Sequence, residues 1–243
     1  MLVKACINGA RSRDEHPRVP LTAAQLGREA RVAVDAGAGA VHCHPRDEAG
    51  AETLDPSAIA AAVAAIRAAC PGVPVGVSTG LWIAGDDPER RLALVRRWTG
   101  DVRPDFASVN LSEPGFGAVA EALLDAGIGV EAGSWREEDV EPLAASGLAP
   151  RLVRILVEPQ DAEEATAVAT AAAIERALDA HDMPAARLHH GYGAATWEVL
   201  RVAVARGRDI RAGLEDATVL PDGRPATGNR DLVEAAVRLA DEG

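Results

Sequence analysis

Two histidines one residue apart, in Val41-His42-Cys43-His44-Pro45-Arg46-Asp47, carry the clearest chemical signal in this chain. Side chains alternate across a β-strand, so His42 and His44 share one face while Val41 and Cys43 take the other. Pro45 has no amide hydrogen with which to continue a ladder, which puts the pair at a strand's end, side by side and preorganised for chelation. Two imidazoles and one carboxylate with an open position make a common catalytic zinc site, where the ion acts as a Lewis acid toward a carbonyl or a bound water. Candidates for the third ligand are Glu215, Glu131, His189 and His190, and spacing alone does not choose among them. Glu215 has the best neighbours: Arg211-Ala212-Gly213-Leu214-Glu215-Asp216 compresses three charges around an apolar turn, and such charges need partners if buried. The plain alternatives are a chance histidine pair and an exposed ion-pair cluster.

A second motif competes. Gly76-Val77-Ser78-Thr79-Gly80 has the G-x-S-x-G spacing of a nucleophile elbow, and His189 or His190 with Asp182 would complete a triad in chain order. An elbow requires a helix directly after the serine, whereas Trp82, Gly85 and Pro88 delay one here. Ser78 is therefore read as a strand-end residue that hydrogen-bonds substrate or relays a proton.

The elements that must hold these groups repeat. Leu2 to Ile7 reads as a strand, followed by a helix that opens on the capping-box pattern Thr22-Ala23-Ala24-Gln25 and ends at Gly37. Strand Ala40 to His44 precedes a helix capped by Asp55-Pro56 that runs to about Cys70. Val75 to Ser78 precedes one opened by Asp87-Pro88, and Phe106 to Asn110 precedes one from about Phe116 to Ala126. Gly129 to Glu131 leads to a short helix near Glu137 to Ser146; Val153 to Val157 leads to a long one from Asp161, with Glu164 in capping-box register, to about Ala180. Arg187 to His189 precedes the helix Ala194 to Arg206, and Ile210 to Gly213 precedes Asn229 to about Ala240. Short apolar strands alternating with amphipathic helices imply a parallel sheet covered by helices. Eight such units in 243 residues predict an α/β chain folded as one single-domain (β/α)8 TIM barrel over residues 1–243. An open doubly wound sheet would want a glycine-rich phosphate turn after the first strand, and Asn8-Gly9-Ala10-Arg11 is not one.

Active sites of such barrels gather at the C-terminal ends of the strands. Those ends read Asn8, His42 and His44, Ser78-Thr79, Asn110, Glu131, Glu158, His189-His190, and Glu215-Asp216 after Arg211. Polar or ionisable groups at every mouth predict one shared site, although Glu158 could merely start a helix and Asn110 merely satisfy loop backbone.

Composition closes off several classes. A net charge of −12 and few aromatic residues argue against nucleic acid as a partner. Lys4 is the only lysine and lies within the first strand, which demotes Schiff-base chemistry. No apolar run of about 18 residues would cross a bilayer, so no membrane partner is expected. The start lacks the features of a signal peptide, and Cys6, Cys43 and Cys70 suit buried reduced thiols, with Cys43 turned away from the histidines; the expected location is cytoplasmic.

Taken together, His42-Cys43-His44-Pro45-Arg46-Asp47, Ser78-Thr79-Gly80, Arg211-Ala212-Gly213-Leu214-Glu215-Asp216 and Pro221-Asp222-Gly223 stand in an order that resembles the β-keto acid cleavage enzyme family, from Cys6-Ile7-Asn8-Gly9 to Asn229-Arg230-Asp231-Leu232-Val233. The resemblance implies a zinc-bearing barrel that transfers the acyl portion of a β-keto acid to CoA, consuming acetyl-CoA and releasing acetoacetate, without NAD, flavin or PLP. It implies His42, His44 and Glu215 as metal ligands for Zn2+ or another divalent transition metal, and Ser78, Arg211 and Asp216 as the catalytic polar set. Asn8, Arg11, Thr79, Asn110 and Glu131 are the expected substrate-binding residues, and a homo-oligomer, a tetramer, is the expected assembly. Where the family carries an acidic residue in a T-G-A-E type segment after the first strand, this chain reads Asn8-Gly9-Ala10-Arg11. That departure speaks against a cationic substrate and for a neutral or anionic one, with Arg11 or Arg13 available to a second carboxylate; Glu131 argues the other way. The alternatives are a zinc-dependent barrel hydrolase or lyase that uses metal-bound water without CoA, and a non-catalytic, metal-stabilised anion-binding protein.

Overall fold

The computed structural model describes residues 1–100 and 103–242. Its strands are β1 (Val3–Cys6), β2 (Ala40–Cys43), β3 (Val75–Ser78), β4 (Phe106–Asn110), β5 (Gly129–Ser134), β6 (Arg154–Val157), β7 (Ala186–His189) and β8 (Asp209–Ala212). They pair in sequence order, all parallel, and β8 closes on β1, giving a closed eight-stranded barrel. The outer layer is α1 (Ala23–Asp35), α2 (Pro56–Ala69), α3 (Pro88–Val95), α4 (Phe116–Asp125), α5 (Val140–Ser146), α6 (Glu164–Ala180), α7 (Thr196–Val204) and α8 (Asn229–Glu242). The expected (β/α)8 barrel is what the chain forms.

Local chemistry explains the helix starts. Thr22 and Gln25 complete the capping box of α1, and Asp55 and Asp87 accept backbone hydrogens ahead of the prolines that open α2 and α3. α5 and α7 open on short 3-10 turns, so their α-helices start at Val140 and Thr196 rather than at Glu137 and Ala194, and α6 differs in its cap. The cap of α6 is Glu163, whose carboxylate accepts from Ala165 and Thr166, so the helix begins later than the Asp161 reading.

Strand parity divides the barrel into two chemistries. Val3, Ala5, Val41, Cys43, Val75, Val77, Ala107, Val109, Val130, Ala132, Ile155, Val157, Ile210 and Ala212 join the helices' apolar faces in one hydrophobic core between sheet and helical layer. The opposite parity carries Lys4, His42, Ser78, Ser108, Glu131 and Arg211, which converge within the barrel and reach one another across it. Burying roughly 25 cal/mol per Å2 of apolar surface on the outer face leaves the interior free to hold polar groups, provided each finds a partner.

Glu131 shows that rule and overturns a placement. β5 continues to Ser134, three residues past the expected end, so Glu131 lies mid-strand rather than at the mouth. Its carboxylate accepts from Lys4 Nζ at 2.6 Å and has Arg154 Nη1 at 3.1 Å, while both cations stand over the Phe106 ring. It does not line the cavity described below and is not placed to touch substrate. Lys4 is held in the same buried pair. Among the described residues no helix is long and apolar enough to cross a membrane.

Candidate active site

The three residues expected to hold a metal converge. His42 Nε2 lies 3.8 Å from Glu215 Oε2 and His44 Nε2 lies 3.5 Å from Glu215 Oε1, and one ligand atom from each of the three residues falls within 4.8 Å of the others. β2 supplies His42 from its interior parity, and His44 follows just beyond the strand's last residue. Glu215 arrives from the turn after β8, whose amide bonds Cys6 O at 3.1 Å. Of the four candidates for third ligand, the fold brings Glu215 to the two imidazoles. His189 points the other way, into the helical layer, where its Nε2 meets Glu175 of α6 at 2.7 Å.

The donors fit a divalent ion. Glu215 Oε2 is buried without a hydrogen-bond partner. His44 Nδ1 is 2.5 Å from Glu52 Oε1; a carboxylate only accepts, so Nδ1 carries a hydrogen, which leaves Nε2, facing Glu215, as the nitrogen that can take a metal in place of its proton. Burial works against a charged His44 ring, but the Glu215 and Glu52 carboxylates overcome it and hold the ring up at about 9. Burial keeps His42 well below the usual histidine range, hence neutral. Glu215 is opposed by burial yet held well below the ordinary carboxylate range by Arg211 and the two imidazoles.

Sequence reasoning missed Glu52. The signal was the turn after His44: Asp47 Oδ1 accepts from Ala49 and Ala51, and the chain folds back so that Arg46 and Glu52 pair as an antiparallel bridge beside His44. Trp82 Nε1 donates to Glu52's other oxygen at 3.0 Å and its ring stacks toward His44. Arg46 donates to Gly9 O and Arg11 O, tying the β1 loop over the site.

Beside the triad, Arg211 reaches Asp216 Oδ1 at 2.5 Å and Glu215 Oε1 at 2.9 Å. Burial, with Glu215 adjacent, raises Asp216 against the pull of Arg211 and His190. Two neighbouring carboxyls are thus pushed in opposite directions, Glu215 toward permanent charge and Asp216 toward proton exchange. His190 sits beyond them, Nε2 at 2.7 Å from Glu158 Oε2 and Nδ1 at 3.5 Å from Asp216 Oδ1. Burial lifts Glu158 to about 7, and burial with Arg211 lowers His190 to about 3.

These groups open onto a cavity of 310 Å3 whose walls include Arg11, His44, Ser78, Asn110, Arg211 and Asp216. Ser78 Oγ accepts from Gly80 N at 3.1 Å, and the next full helix is α3, so the elbow arrangement is absent at this serine. Arg11 lies over the Tyr192 ring at the rim, with Nε on Leu214 O at 2.5 Å and Nη1 near Glu15. Two expected substrate contacts face elsewhere. Asn8 grips the main chain of His44 in both directions at 2.8 Å, and Thr79 Oγ1 donates to Ser108 O at 2.6 Å; neither lines the cavity. A strand end places a residue near the mouth without deciding which way its side chain turns. Arg13 is likewise turned away, with its Nε on Val19 O.

Comparison with known proteins follows the same lines. The chain is 28% identical over 255 residues to the 3-keto-5-aminohexanoate cleavage enzyme of Fusobacterium nucleatum subsp. nucleatum, and 27% identical over 257 residues to that of Acetoanaerobium sticklandii. Each alignment takes in 100% of this chain and 92% of the relative. Among solved structures, apo ObcA superposes with a TM-score of 0.72 at 20% identity, over 91% of this chain and 61% of its own, so this chain spans about three fifths of ObcA's length. A ternary complex of ObcA with a C4-CoA adduct and oxalate gives 0.72 at 20% identity, covering 91% and 63%. At such identity ObcA shares the fold. The profile of beta-keto acid cleavage enzymes matches residues 1–183 and 159–243, end to end, and this chain belongs to that family.

Proposed function

We propose that this protein is a divalent-metal-dependent acyltransferase that cleaves a β-keto acid with acetyl-CoA, giving acetoacetate and a new acyl-CoA. The observation that carries this reading is the meeting of His42, His44 and Glu215, in a family member, at a cavity lined by His44, Glu215, Ser78, Arg211 and Asp216. A nitrogen and oxygen donor set of this kind suits Zn2+, and also cobalt, nickel or manganese. Bound there, the ion would supply Lewis acidity toward the keto oxygen of the substrate.

The chain's own residues divide the remaining work. Arg211, already braced by Asp216 and Glu215, presents a fixed guanidinium that can hold the substrate's carboxylate at the metal end. Asp216, raised by burial, accepts and returns protons as general base and acid, with Ser78 across the cavity as a hydrogen-bonding or relay group. Arg11 at the rim favours a neutral or anionic β-keto acid. The names of the similar proteins support a keto acid and CoA: the curated relatives cleave 3-keto-5-aminohexanoate, and ObcA structures hold oxaloacetate or a C4-CoA adduct. The chain would act as one catalytic domain, in the cytoplasm, as a homo-tetramer.

Acetoacetate release, followed on zinc-loaded protein with acetyl-CoA and a panel of β-keto acids, tests this. Turnover that requires both acetyl-CoA and metal is expected. Turnover of the β-keto acid without acetyl-CoA would replace the transferase by a hydrolase or lyase, and no turnover with full zinc occupancy would leave an anion-binding protein.

A further inference from the structure

The three residues of the proposed metal site come from strands that are not neighbours in the barrel. His42 and His44 belong to β2 and its end, and Glu215 to the turn after β8; β1 lies between these strands, pairs with both and supplies none of the three. Main-chain bonds join β1 to each side through Ile7 N to His42 O and Glu215 N to Cys6 O, both at 3.1 Å. His44 and Glu215 lie past the last residues of their strands, Cys43 and Ala212, where a regular ladder no longer fixes the distance between them.

Two asparagine side chains take over there. Asn8 Oδ1 accepts from His44 N and its Nδ2 donates to His44 O, both at 2.8 Å, so the carboxamide pairs with the His44 main chain as a neighbouring strand would. Asn229, the first residue of α8, does the same on the other side of β1: Oδ1 accepts from Leu214 N at 2.9 Å and Nδ2 donates to Ile7 O at 3.0 Å. Its second Nδ2 hydrogen goes to Glu29 Oε2 at 3.1 Å. A carboxamide carries donor and acceptor on one plane, as a peptide group does, whereas a carboxylate of the same shape lacks the donor. Both residues are fully buried, out of reach of bulk water as a substitute. Nor is Asn229 spent on capping its own helix. The approach to α8 is closed instead by Asp231 Oδ2, which accepts from Thr227 N at 2.8 Å and Thr227 Oγ1 at 2.7 Å.

We propose that Asn8 and Asn229 are positioning residues for the metal site: one strut, running through Leu214, Asn229, Ile7, Asn8 and His44, fixes the spacing of Glu215 and His44 across β1. The strut holds main chain and leaves the orientation of the His44 ring to Glu52. The assignment rests on the reading of His42, His44 and Glu215 as metal ligands. An ion that meets ligands already spaced does not have to order the loops that carry them, so cutting the strut costs affinity and coordination geometry more than it costs the fold. Its links are in series. Removing either asparagine therefore slackens the whole, and the two residues act as a unit.

The test is zinc affinity of the whole chain by competition with a chelator, with the visible spectrum of the cobalt-loaded protein as a second readout. Asn229→Ala is expected to bind zinc weaker by about tenfold or more and to shift the cobalt bands, which report ligand geometry, with circular dichroism unchanged. Asn8→Ala should do the same, and the double variant should fall short of the product of the two single losses by about threefold or more. Asp231→Ala, which loosens the same helix start without touching the strut, should lower the unfolding temperature and keep zinc affinity within about twofold of the parent. Equal weakening by Asp231→Ala and Asn229→Ala, or an Asn229→Ala protein with the parent's affinity and cobalt spectrum, overturns the assignment and leaves the metal reading intact. Hydrogen exchange on the metal-free parent decides the matter if a variant does not fold: the Leu214 and His44 amides, both outside the strands, should exchange as slowly as strand amides, and exchange at the rate of exposed loops overturns the strut. A parent protein that binds neither zinc nor cobalt overturns the metal reading and this assignment with it.

Discussion

Glu52 holds the orientation of His44 through one hydrogen bond, and under the proposed function that bond sets how well a metal would be held. With Nδ1–H directed at Glu52, the His44 ring can rotate neither about its axis nor between tautomers, and Nε2 stays aimed at Glu215. Partners of this kind are typically worth 10- to 100-fold in metal affinity. Glu52→Gln is therefore expected to weaken zinc binding by about that factor, measured by competition with a chelator, while thermal unfolding of the metal-free protein shifts little. An unchanged affinity would show that Glu52 serves Trp82 and the loop rather than the ligand. Asn8 acts at the same scale by different means: it fixes the His44 backbone, where Glu52 fixes the ring.

At the scale of elements, the site is a meeting of loops held by close approach. Gly9, with φ of +55°, brings the loop after β1 so near the turn after β8 that a Cβ there would overlap the Glu215 side chain. Positive φ and missing Cβ are both needed, which only glycine supplies at low cost. Gly9→Ala should displace Glu215 from the imidazoles and drop zinc occupancy at least tenfold, read by elemental analysis after dialysis, with barrel circular dichroism retained. A fully zinc-loaded variant would mean that the loop yields instead of the ligand. The same scale explains Glu131. A strand that runs three residues past its expected end carries its carboxylate down into the barrel, where Lys4 and Arg154 neutralise it.

Across the whole molecule, the polar groups that face outward are tied into the helical layer as firmly as the site is tied inward. Glu175 of α6 accepts from His189 and Arg187 of β7 and from Arg208 ahead of β8, joining α6, β7 and the loop between α7 and β8. Burial opposes its charge, but the hydrogen bonds from His189 and Arg187 prevail and hold it down at about 2. A carboxyl depressed on folding stabilises the native state above its unfolded value of about 4.5, and that contribution is lost as pH falls from there through about 2. Denaturant unfolding at a series of pH values should show this loss, and Glu175→Gln should remove about 3 kcal/mol at neutral pH and flatten the acid limb. A variant as stable as the parent at pH 7 would refute a supporting role for this cluster.

Much of this protein was legible before its tertiary structure. The eight strand–helix units, the caps at Thr22, Asp55 and Asp87 and the shared face of His42 and His44 follow from short-range rules of periodicity, capping and alternation, which depend on neighbours within a few residues. The convergence of Glu215 with the histidines was only one of four options, since strands far apart in sequence meet only when the sheet closes. Register and side-chain direction belonged wholly to the tertiary structure. It turned His189 outward and His190 inward, sank Glu131, spent Asn8 and Thr79 on backbone, and brought Glu52 beside His44 where no local pattern marks it. Those outcomes are decided by which partner each buried polar group finds, and in a closed barrel that partner lies across the interior or on a neighbouring element.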